Sequence, residues 1–208
     1  MTKSFLYLII ITIFAISCKP KEIGIVSNKV TGTQENIATI GPEYNTQVYF
    51  SLHLNKITGT QDKTSWDIAI INTDTANIIM LNSAKYMFTY ATQSNDINDQ
   101  IIDTTGFQNG KKLDNSGLEY DSLSIAPFNQ KSPVYVIDLG VVGSQRYGYY
   151  FCQFTAIDNN NIEVSIKAMN SQEVISKVIT KNDAYWSTQL KLGDAITPVS
   201  GQPIKEEW

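Results

Sequence analysis

Histidine is almost missing from this chain and cysteine is scarce: the 208 residues hold His 1 and Cys 2. A zinc site draws three or four ligands from His, Cys and carboxylates, and a Ser–His–Asp triad needs a placed imidazole. His53 has no Gly-x-Ser-x-Gly elbow to serve, and the sequence carries no glycine-rich phosphate loop. Basic residues are outnumbered too, with Lys+Arg 16 against Asp+Glu 20 and a formal net charge of -4. A nucleic-acid binder would cluster cations to neutralise phosphates, so no nucleic-acid partner is expected. Gly 12 and Pro 6 are too few for a collagen-like chain, and a charged fraction of 17% is too low for a coiled coil. What is present is apolar material, 42% of residues, enough for one ordinary globular domain. These absences exclude most enzyme classes, and a non-enzymatic role is expected.

Carboxylates are plentiful, but number alone says nothing of the paired geometry that glycoside hydrolysis requires. Asp96, Asn98, Asp99 and Asp103 could ligate calcium. They lack the glycine and terminal glutamate of an EF-hand loop, and a solvated acidic loop is the commoner meaning.

The start of the chain has its own logic. Residues 1–17 read as an export signal, with Lys3 followed by an apolar run from Phe5 to Ile16 broken only by Thr12. That run falls short of the roughly 20 apolar residues a membrane span needs. Small Ala15 and Ser17 precede Cys18, which resembles a bacterial lipobox in which the cysteine is diacylated. A plain secretory signal with an incidental Cys18 is the other possibility. Residues 18–45 are polar, without periodicity, and read as a tether between a lipid anchor and the folded body. With Cys18 acylated, Cys152 has no partner; it alternates with Tyr150 and Phe154 and has no basic neighbour, the profile of a core residue.

From about residue 46 onward, period-two patterning predicts an all-β, antiparallel fold. Val48, Phe50, Leu52 and Leu54 share one face of a first strand, with Tyr49, Ser51 and His53 on the other. Trp66–Ile71 and Pro133–Leu139 are further apolar strands. Gly148–Ala156 and Ile162–Ala168 form a hairpin around Asn159-Asn160-Asn161, with Glu163, Ser165 and Lys167 expected on a wet face. Asn77–Tyr90 fits a strand pair or a short helix equally well. There is also an echo: Tyr49-Phe50-Ser51 leading to Lys63-Thr64-Ser65-Trp66 returns as Tyr185-Trp186-Ser187 leading to Lys205-Glu206-Glu207-Trp208. It suggests a body over 46–184 and the opening of a truncated second repeat over 185–208.

In order, Tyr49-Phe50-Ser51-Leu52, Trp66-Asp67-Ile68-Ala69-Ile70, Pro133-Val134-Tyr135-Val136-Ile137 and Tyr149-Tyr150-Phe151-Cys152-Gln153-Phe154-Thr155 resemble the HmuY-like haem-binding lipoproteins of Bacteroidetes. The likeness covers about residues 46–170. It implies a lipid-anchored, all-β protein at the cell surface or outer membrane that takes haem or a related porphyrin for iron acquisition. It further implies hand-over to a TonB-dependent outer-membrane receptor, with the membrane contacted through the lipid anchor alone.

Family members ligate haem iron axially through two His or two Met side chains, mostly from a variable middle region. Here that region lacks histidine, and His53 has the position of an exposed strand residue. Met80 and Met87 are the candidate ligands, with Tyr86 and Tyr90 beside the porphyrin. Core packing is the competing role for both methionines, since Met80 lies in Ile78-Ile79-Met80-Leu81 and Met87 between aromatics. A haem site requires an open pocket lined by these residues. A non-haem binding or interaction module on the same scaffold would instead pack both.

Overall fold

The computed structural model describes residues 45–51, 54–73, 76–114 and 122–199. The leader, Cys18, the tether up to residue 44, His53 and Trp208 lie outside the described residues. What is described is all-β and antiparallel, with thirteen strands, one 3-10 turn and a single α-helical turn.

A four-stranded sheet has the order β13 (Thr197–Pro198), β12 (Ser187–Lys191), β3 (Ile68–Ile71), β4 (Ile78–Leu81). A five-stranded sheet runs β11 (Ile175–Thr180), β10 (Asn161–Ala168), β9 (Tyr149–Ala156), β6 (Tyr135–Asp138), β5 (Phe88–Ala91). Two separate ribbons pair β1 (Thr46–Ser51) with β2 (Lys56–Asp62), and β7 (Val141–Val142) with β8 (Gln145–Arg146).

Side-chain alternation explains how the sheets stack. Ile68 and Ile70 of β3, Ile79 and Leu81 of β4 and Leu190 of β12 join one core with Tyr135, Ile137, Cys152, Phe154 and Val164 of the other sheet. The intervening residues are buried as well. Ala69, Ile71 and Ile78 meet Trp66 and Leu123 on the outer face of the four-stranded sheet. Val134, Val136 and Phe151 meet Ile97 and Phe107 on the outer face of the five-stranded one. Each sheet therefore buries apolar side chains on both sides, which is why β3 and Tyr135–Ile137 of β6 read as apolar runs. Lys167, expected to be wet, is buried for the same reason: the chain around Asp99 covers that face, and Lys167 Nζ donates to the Asp99 carbonyl at 3.0 Å.

The hairpin of β9 and β10 forms in the expected register, Ile162 opposite Ala156. Asp158 closes its turn by accepting the backbone N–H groups of Asn160 and Asn161, both at 2.8 Å. The ambiguous stretch Asn77–Tyr90 proves to be two strands in different sheets. Between them a 3-10 turn, Ser83–Lys85, is capped by Asn82, whose side chain accepts from Ala84 N. Tyr86 follows at φ 51 and turns the chain into the second sheet.

The described part of the segment expected to open a second repeat, residues 185–199, belongs to this same body. β12 is an interior strand, paired with β3 on one side and β13 on the other. Leu190, Leu192 and Ile196 lie in the central core. The body thus extends past 184 to at least 199.

Candidate functional site

The four residues expected around haem are dispersed by strand alternation. Met87 is in the central core, 1% exposed. Met80 is opposite Ala69, so its side chain is on the outer face of the four-stranded sheet with Trp66 and Ile71. A sheet thus separates the two thioethers. Tyr90 is on the outer face of the other sheet, beneath the helical turn α1 (Phe107–Gly110). There its ring meets Phe107 edge-on at 6.5 Å between centroids. A Cβ on Gly106 would overlap its hydroxyl, so the turn is moulded around this ring. Tyr86 is exposed, at 74%. None of the four lines the groove over β9 and β10 or the cleft near Tyr150.

The acidic loop spends its carboxylates locally. Asp96 accepts from Asn98 N at 3.0 Å, Asp103 from Thr105 N at 2.9 Å, and Asp99 from the Ser94 hydroxyl. These contacts hold Asp96 and Asp103 below the usual carboxylate range. Among the described residues no three His, Cys, Asp or Glu converge as metal ligands.

Surface depressions among the described residues include the following two. A groove of about 490 Å³ runs over the outer face of β9 and β10, with Thr155 and Glu163 paired across the strands and Asn98 and Lys131 at its rim. Its base is Gln153, 2% exposed and fully engaged. Its Oε1 accepts from Ile97 N at 3.2 Å, and its Nε2 donates to Asn95 O at 2.9 Å and Ser132 O at 3.0 Å. Gln153 thereby ties both flanking loops to the central strand and holds the walls of the groove. Smaller, at about 290 Å³, is a cleft where the central core opens near Tyr150, Ile175 and Asp194. Burial first, then the negative charges of Asp194 and Asp67, push the Tyr150 hydroxyl above its ordinary range.

Asp67, which acts on Tyr150, belongs to a buried charged cluster. Asp67 and Lys85 are both fully buried and paired through Oδ1 and Nζ. Asp67 Oδ2 accepts from Leu192 N at 2.7 Å, and Lys191 Nζ is 3.4 Å from Oδ1. Lys85 and Lys191 both face the Tyr147 ring, at 4.3 and 5.1 Å from its centroid. Burial pushes the Lys85 ammonium below the usual lysine range, against the opposing pull of Asp67. Cys152 is fully buried and its thiol is pushed up by burial, as expected of a core cysteine.

Sequence reasoning missed Gln153, Lys85 and Asp67 as a set. Their partners are distant in the chain, and the one available signal was a charged or amide residue inside an apolar run. Among the described residues no helix is long and apolar enough to cross a membrane. Comparison with known proteins adds no relative: no family, no curated protein and no solved structure matches the chain.

Proposed function

We propose that this protein is a non-enzymatic binding module of the cell envelope, exported on residues 1–17 and anchored through Cys18. Its ligand is hydrophilic and about the size of a sugar, and it binds in the groove over β9 and β10. The observation that carries this reading is the groove itself: 490 Å³ of space on two central strands, rimmed by Lys131 and Glu163, with its base locked by Gln153. That volume lies within the range of small-molecule sites, and opposed charges beside hydroxyls suit a neutral polyol or a zwitterion. Rigid strands below and short loops at the rim pre-organise the contacts.

A methionine-ligated haem is the less supported reading, since Met87 is packed and Met80 is on the other side of a sheet. The test is ligand-observed NMR with a panel of neutral sugars and amino acids, beside a haem titration on the same preparation. Saturation transfer from one class, lost in Thr155→Val and Lys131→Ala, is the expected result. A saturable low-spin Soret band without any transfer would overturn it.

A further inference from the structure

We propose that Lys85 and Asp67 join spontaneously through an intramolecular amide bond, a covalent cross-link between the start of β3 and the 3-10 turn that follows β4. The inference is independent of which ligand the groove takes.

Both side chains are fully buried and in direct contact. An ion pair so enclosed bears the desolvation cost of two charges, and passing one proton from Nζ to Oδ1 relieves it. That transfer leaves the two reactants of an amide condensation, a neutral amine and a protonated carboxyl, held together away from bulk solvent. A buried, neutral lysine is a competent nucleophile.

The surroundings fit the remaining steps. Neutral Lys85 Nζ adds its lone pair to Cγ of Asp67, and the carbonyl electron pair moves onto Oδ2. The Leu192 N–H, 2.7 Å from Oδ2, is placed to meet that developing charge. The Cγ–Oδ1 bond then breaks. Oδ1 carries its own proton and takes a second from Nζ, leaving as water, while the third lysine proton stays on the amide nitrogen. Lys191 Nζ, 3.4 Å from Oδ1, is an adjacent cation that supports the departing oxygen. No oxidant, cofactor or outside reagent is consumed.

Both backbones are also fixed. Asp67 N donates to Leu190 O at 2.8 Å, and Asp67 O accepts from Asn82 N at 2.8 Å. The Lys85 carbonyl is packed against Gly140, at φ +80, where any Cβ would overlap it. The reacting atoms are therefore held near each other by the fold and not by chance rotamers. Tyr147 covers the lysine on its remaining side.

A tryptic digest of the purified, denatured protein decides the matter. Trypsin cannot cut after an acylated lysine, so the bridged chain yields a peptide over 64–111. That peptide is lighter than its sequence mass by one water and gives no fragment ions from cleavage between 67 and 85. Recovery of peptide 64–85 at its sequence mass, cut after Lys85, overturns the proposal. Lys85→Arg is the control: a guanidinium does not condense, so cleavage after position 85 returns and the mass deficit disappears. Should that variant fail to fold, the wild-type digest still decides. Lys191→Met, which leaves both reacting side chains in place, is expected to lower the bridged fraction of the freshly purified protein in the same digest.

Discussion

Cys152, Met87 and Gly140 show how single residues are committed by this packing. Cys152 is fully buried with its thiol pushed up by burial, so it should resist thiol reagents in the folded protein and react only on unfolding. Modification kinetics with and without denaturant check this. Met87→Ala removes a side chain from the central core and is expected to cost about 2–5 kcal/mol in chemical denaturation. Met80→Ala, on a partly exposed outer face, should cost roughly 1 kcal/mol or less. Gly140→Ala meets both a positive φ and the Lys85 carbonyl, and a loss of about 1–3 kcal/mol is expected. For Asp62 and Asp158, hydrogen bonds to the charged form depress the folded pKa. Stability from them is present above the unfolded value and lost as pH falls through the folded one. Acid titration of wild type against Asp158→Asn should therefore show wild type the more stable above about pH 4, with the two converging as the pH falls below it. At this scale Cys152 was legible, because alternation with Tyr150 and Phe154 fixed its face. Gln153 was not, because its partners Asn95 and Ser132 are 58 and 21 residues away.

Individual strands were legible wherever β-branched or aromatic residues alternated, as in β9 and β10. Their assignment to sheets was not. The run from Asn77 to Tyr90 carries the same local pattern whether its strands pair with each other or part, and the Asn82-capped turn with Tyr86 at positive φ decides for parting. Lys167 was misplaced because a strand's own pattern does not reveal that a loop will cover its polar face. The C-terminal segment tests this level of description most sharply. β12 is interior to its sheet, and its neighbour Leu192 donates through its backbone to Asp67. Deleting residues 185–208 should abolish cooperative unfolding, as followed by near-ultraviolet circular dichroism against denaturant. A truncated chain that unfolds with the wild-type midpoint would restore the idea of a separate repeat.

Across the described residues as a whole, the decisive feature is that each sheet buries apolar clusters on both faces. Three apolar layers absorb the residues that the resemblance to haem carriers marks as ligands, and leave hydrophilic space on the outer face of β9 and β10. The all-β class was readable from period and composition. The layering was not, since it depends on which segments return to cover the outer faces. A haem titration of the purified protein, followed in ferric and dithionite-reduced forms, tests this arrangement most directly. With Met80 and Met87 on opposite sides of a sheet, no saturable low-spin spectrum should develop, and Met80→Ala should leave the titration unchanged. A saturable low-spin band that sharpens on reduction and is lost in Met80→Ala would contradict it.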